Sequence, residues 1–415
     1  MRYKTDIWLK TSIINLFLVA LLGLLMRYKI GFDFPFFVHK HLLHSHSHFA
    51  FAGWISHTLM VLMIYFLRNK TTAISLGKYT WLIIANLISS YGMLVFFILQ
   101  GYAFGSILFS TLSIIVSYFF AYYFFKDLRH LKRETSVNWL KGALFFYVIS
   151  SVGTFFLAYT MASKTLMINV YLSSIYYYLH FQYNGWFLFA CIGLLADILK
   201  LSERENLFFD KSFQWLFVST LITYLLSVLW LEIPTWLYVI TVTFSIIQLI
   251  VWVNMLVKIS RNKGELLNQQ PIFLQYFLKF AGFCLTLKFV FQLLSVIPSL
   301  SQFVFGVRYI IIAYLHLVLL GVITLFLLYY IYVNQFLSLN KSIKGGLILF
   351  AIGIFLNEFI LAIQGISVFG YILLPDINTF LFGAALLLFL SIGWVTLRTL
   401  TERNKILENK VEKRN

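Results

Sequence analysis

Nineteen residues, His39 to His57, hold six of the chain's nine histidines: His39-Lys-His41-Leu-Leu-His44-Ser-His46-Ser-His48-Phe-Ala-Phe-Ala-Gly53-Trp-Ile-Ser-His57. Two more, His180 and His316, lie inside other apolar runs. Imidazole is the commonest metal-ligand side chain. An ionisable residue within a membrane is by default a functional-site hypothesis. A haem iron takes one or two axial ligands, and two imidazoles from facing helices make a six-coordinate b-type site. The plate between them needs an apolar slot and small neighbours. His48 has Phe49, Ala50, Ala52 and Gly53 beside it; His316 has Leu317, Val318, Leu319 and Gly321. His48 and His316 are the expected iron ligands, with His46 and Gly53 lining the slot. Arg308 lies eight residues before His316 on nearly the same face, placed to meet a haem propionate or to serve as an interfacial anchor. His39 and His41 read as a solvated loop, with His44 at its edge; a surface copper or zinc site is the sharper alternative there. His180 reads either as a distal, copper-like group or as a satisfied interfacial histidine, and His57 as a buried neutral imidazole.

These residues must be positioned by membrane helices. The chain has 415 residues, is 61% hydrophobic and only 11% charged, with mean hydropathy +0.86. A soluble domain is about half apolar and a quarter charged, so this is an all-α polytopic membrane protein. A span needs about 20 mostly apolar residues. Twelve such runs are expected, near 7–26, 44–67, 79–99, 105–125, 140–160, 176–199, 213–231, 235–257, 275–297, 308–333, 345–366 and 379–400. Residues 1–400 form one membrane domain, and 401–415 a polar basic tail. The first run is expected to be a retained helix. Cys191 and Cys284 both fall in apolar runs, so no disulfide framework is expected.

The net charge of +17 is explained by its distribution. On the expected topology, 25 of the 32 Lys and Arg fall on the side of both termini and five on the other. By the positive-inside rule both termini are cytoplasmic, in the inner (cytoplasmic) membrane. The basic excess faces anionic lipid, not nucleic acid. The topology puts His44, His46 and His48 at the outer start of span 2 and His180 near the outer start of span 6. His316 is eight residues into span 10, ~12 Å at 1.5 Å per residue. His46 and His57, eleven residues apart, share a helix face; His48 faces the other way. Spans 2, 6 and 10 are therefore expected to adjoin around one aromatic-lined cavity. Lys288 on span 9 and Glu358 on span 11 come to similar depths and are expected to form an intramembrane charge pair, since isolated charges there are costly.

Twelve spans with histidines on spans 2, 6 and 10 resemble subunit I of the haem-copper oxidase superfamily, which includes nitric-oxide reductases. The resemblance covers the whole span pattern and rests on three short stretches: His46-Ser-His48-Phe-Ala-Phe-Ala-Gly53, Tyr177-Tyr-Leu-His180-Phe-Gln-Tyr-Asn-Gly185, and Tyr314-Leu-His316-Leu-Val-Leu-Leu-Gly321. It implies a low-spin haem ligand on span 2, histidines for both haems on span 10 and a copper ligand on span 6. The chain departs from that pattern twice. Tyr314 stands where the family has a second span 10 histidine, and the outer end of span 7, around Glu232, lacks the family's copper-binding His-His pair. The resemblance thus implies a divergent member with one haem b and without the full copper site. Its role would be respiratory electron transfer from a quinol or cytochrome donor, or nitric-oxide response with a small gas ligand. A histidine-dependent metal-ion transporter and a metal-free assembly or structural protein are the readings from other classes.

Overall fold

Apolar stretches of this length satisfy their backbone polar groups in a bilayer as helices. The computed structural model describes residues 2–402 except 33, 72, 73, 133, 164–166, 371 and 373; most of the expected basic tail lies outside the described residues. Helices follow one another throughout, and no strand occurs among the described residues. The long ones are α1 (Arg2–Gly31), α2 (His39–Lys70), α3 (Gly77–Gln100), α4 (Phe104–Leu128), α5 (Thr135–Ala162), α6 (Ile168–Leu199), α7 (Glu203–Ile222), α8 (Thr235–Asn268), α9 (Ile272–Leu294), α10 (Arg308–Val333), α11 (Lys341–Phe369) and α12 (Ile377–Thr401), with a short helix, Pro298–Gly306, between α9 and α10.

Eleven of these are long and apolar enough to cross a membrane; α7 is the exception. Its first half carries Glu203, Arg204, Glu205, Asp210 and Lys211, which lowers its hydropathy. It nevertheless runs the depth of the bundle. Near its start, the Asn206 carbonyl accepts from Thr135 at 3.2 Å, and Asp210 accepts from Asn138 at 3.0 Å, at the first turn of α5. At its far end a 3-10 segment, Thr223–Val228, carries Tyr224, whose hydroxyl donates to the Ser173 carbonyl near the start of α6 at 3.1 Å. With α7 counted, the expected twelve-helix pattern is present.

The centre of the bundle is α2, α6 and α10. They bury 89%, 83% and 50% of their most apolar stretches, against 28–44% for the other spans. Each is interrupted by a wider π turn: Ala50–Ser56, Phe181–Phe187 and Leu317–Thr324. Each π segment begins one or two residues after a histidine: His48, His180 or His316. Such bulges are rare and concentrate at functional sites. The Trp54 indole donates to Thr324 at 2.9 Å, joining α2 to α10, and the Trp186 indole donates to Ser56 at 3.1 Å, joining α6 to α2. The expected adjacency of the three helices is therefore present.

Small residues permit close helix approach where lipid supplies no hydrophobic drive. Gly153 of α5 is the clearest case. A Cβ there would sit 2.6 Å from the Ser174 carbonyl and 2.9 Å from the Tyr178 amide nitrogen of α6. Backbone cannot yield as a side-chain tip does. Gly153→Ala is expected to lower stability by about 1–3 kcal/mol, the range for overpacking, read as a fall in the thermal unfolding midpoint of the detergent-purified protein. An unchanged midpoint would show that α5 and α6 can separate at no cost.

Candidate functional site

The site is built from His316 upward. The His316 Nδ1 lies 2.9 Å from the Ile312 carbonyl, one turn back along α10. A carbonyl oxygen only accepts, so Nδ1 carries the proton and the Nε2 of a neutral ring holds the lone pair. His46 repeats this arrangement across helices. Its Nδ1 lies 3.0 Å from the Val19 carbonyl of α1. No hydrogen bond among the described residues reaches either Nε2. Gly23 makes room for the His46 ring, since a Cβ there would touch its Cε1 at 3.4 Å.

The two imidazoles share a level. Trp54 bonds Thr324, and further along both chains the Tyr65 ring meets Phe336, just past the end of α10, at 4.5 Å, so α2 and α10 run parallel. His46 and His316 each stand eight residues before the Trp54–Thr324 bond. They are within electrostatic reach of each other and of Arg27. Arg27 in turn is within reach of Arg308, Tyr309 and Glu358. Neither guanidinium forms an ion pair or hydrogen bond among the described residues. Arg27 is thus the cation within reach of both imidazoles, and an anionic group beside them would share it with the Glu358 carboxylate.

The other expected residues are placed differently. His48 turns to the opposite face of α2: its Nε2 lies 2.9 Å from the Tyr102 hydroxyl and its ring stacks on Phe97 at 4.4 Å. The partner within range of His316 is thus His46, not His48, because the two lie on opposite sides of one helix. His44 packs edge-on against Tyr102 at 4.6 Å, its Nε2 buried without a partner. His57, sharing the His46 face, bonds the Trp8 carbonyl of α1 at 3.2 Å. Gly53 accommodates the Phe49 ring, 2.6 Å from a Cβ built there, so it serves packing within α2. His41 approaches the Ile98 carbonyl at 3.3 Å.

His180 has both ring nitrogens engaged. Nε2 lies 2.8 Å from the Thr220 carbonyl of α7, and Nδ1 is 3.0 Å from the Asn184 side-chain nitrogen. It faces α7, so the imidazoles of the three central helices diverge and do not surround one cavity as expected. No three His, Cys, Asp or Glu side chains converge to hold a metal ion among the described residues.

The Lys288–Glu358 pair is not formed. Lys288 Nζ lies 4.0 Å from the centre of the Phe289 ring and within reach of His180, with no hydrogen-bond partner. Glu358 accepts from Asn357 at 3.0 Å and is within reach of Arg27. Equal depth did not bring them together because they face different neighbours around the ring of helices. Lys288 looks toward α6 and Glu358 toward α1.

No family model matches this chain, and no curated protein matches it. Arg27, Val19 and Gly23, all on α1, were not singled out in the sequence. The one available signal was Arg27, near the C-terminal end of α1 and separated from Gly23 by one turn.

Proposed function

We propose that the chain is a haem b protein of the inner (cytoplasmic) membrane, with both termini cytoplasmic, that passes single electrons through a haem held axially by His46 and His316. On this reading it is a divergent relative of haem-copper oxidase subunit I. The observation that carries it is the matched pair of imidazoles. Each has Nδ1–H tied to a backbone carbonyl and Nε2 without a partner, at one level of two parallel central helices. Two imidazoles are too few for a bare ion. They suffice for a cofactor that brings its own four equatorial nitrogens.

The residues fit that group in two respects. The Val19 and Ile312 carbonyls fix the ring orientation and raise the basicity of the free nitrogen, the usual role of such outer partners. Arg27 and Arg308, without carboxylate partners in ion-pair contact, suit the two propionates, and Arg is the residue fitted for bidentate carboxylate binding. When bound, haem supplies a one-electron iron centre. His180 has no free nitrogen to offer a gas ligand, which favours electron transfer from a quinol or cytochrome donor over gas chemistry.

The test is optical. The chain, expressed with haem supply and purified in detergent, is expected to carry about one haem b per chain, with a Soret band that sharpens on dithionite reduction. Colourless protein of native stability, after haem supplementation, would contradict the assignment.

A further inference from the structure

A second polar site lies between α6, α7, α8 and α9, apart from the His46–His316 pair. From α6, His180 bonds the Thr220 carbonyl of α7 at 2.8 Å and Asn184 at 3.0 Å. From α8, Gln248 reaches the Thr220 hydroxyl at 3.4 Å and accepts from Gln292 of α9 at 3.2 Å. Lys288, one turn before Gln292, is 1% exposed. Its Nζ is within electrostatic reach of His180. On the same elements, Asn184 Oδ1, Ser219 Oγ, Thr223 Oγ1, Lys288 Nζ and Gln292 Oε1 are all buried without hydrogen-bond partners. Native interiors leave few such atoms unsatisfied, and each calls for an explanation.

The missing component has a sign. His180, with one nitrogen donating to a carbonyl and the other facing an amide nitrogen, is uncharged. No carboxylate of a described residue forms an ion pair with Lys288; its Nζ lies over the face of Phe289. A buried ammonium without a counter-charge costs several kcal/mol, and residues of this kind in membranes pair or line wet cavities. The Ser219 hydroxyl near the end of α7 and the Thr223 hydroxyl at the start of the following 3-10 segment are free to donate, while the Asn184 and Gln292 oxygens are free to accept. A buried amine keeps its proton only with a counter-charge beside it, so an amine with unpartnered hydroxyl donors on the neighbouring element is the chemistry of a small anion site.

We infer that the Lys288 network binds one small monovalent inorganic anion, of halide or nitrite size, as the counter-ion to the buried amine. The inference stands apart from haem binding, because it uses none of the residues proposed to hold haem.

The experiment is thermal unfolding of the full-length detergent-purified protein. Sodium chloride, bromide or nitrite replaces sodium gluconate at constant ionic strength. At least one of the three should raise the wild-type midpoint by a few degrees in a saturable manner, as a ligand of the native state does. Lys288→Arg should keep the response, and Lys288→Gln should weaken the apparent affinity at least tenfold. Should Lys288→Gln fail to fold, labelled chloride retained by the wild type at one per chain and released by nitrite supports the site. No saturable response to any of the three anions, or an equal response in Lys288→Gln, overturns the inference. The haem band read in the same samples reports separately on the haem assignment.

Discussion

His46→Ala and His316→Ala are each expected to purify with less than a tenth of the wild-type haem, whereas His48→Ala retains it. The reasoning is geometric. His46 and His316 have their Nδ1–H groups held by the Val19 and Ile312 carbonyls, so each ring offers Nε2. His48 has its Nε2 committed to Tyr102 and its ring stacked on Phe97. Removing one ligand of a two-ligand site leaves iron with a single protein bond, a loss of several kcal/mol, and each 1.4 kcal/mol is tenfold in affinity. Haem per chain, measured as the pyridine haemochromogen, checks this. Loss of haem from His48→Ala with retention in His46→Ala would reverse the assignment of the α2 ligand.

The second large effect concerns the two arginines. Arg27→Gln and Arg308→Gln, combined, are expected to weaken haem retention by about 10- to 100-fold with the axial ligands still in place. A charge-assisted hydrogen bond contributes about 1.5–3 kcal/mol, and Arg308 is exposed, so its share is the smaller. The reduced spectrum should keep its shape while the rate of haem transfer to apomyoglobin rises. Arg27→Gln alone should account for most of the change, because Arg27 is half-buried and within reach of both histidines. An unaltered transfer rate in the double variant would remove the arginines from the site.

Helix number and order were legible in the sequence because hydropathy over twenty residues is a strong signal. So was the shared face of His46 and His57. Both reach α1 carbonyls, Val19 and Trp8, which are themselves eleven residues apart. What the sequence could not supply was which face of α2 meets α10. Helical phase relates residues within a helix but says nothing of the neighbour on each side, and His48 was drawn to the α3 side by Tyr102 and Phe97. The π segments were illegible for a related reason. An extra residue in a turn shifts the face of everything beyond it and leaves no mark in the hydrophobic pattern. Equal depth misled for Lys288 and Glu358, where rotation about the helix axis put one side chain toward α6 and the other toward α1. Arg27 carried no motif of its own; only folding set it beside His46.

The central claim is that two imidazoles, His46 and His316, fill both axial positions of one haem. Carbon monoxide binding to the dithionite-reduced, purified protein tests it most directly. Iron with both positions taken by imidazole shows no shift of the Soret band under saturating carbon monoxide, and His46→Ala supplemented with haem acquires one. A full carbon monoxide shift in the wild type would show an open axial position and contradict the assignment.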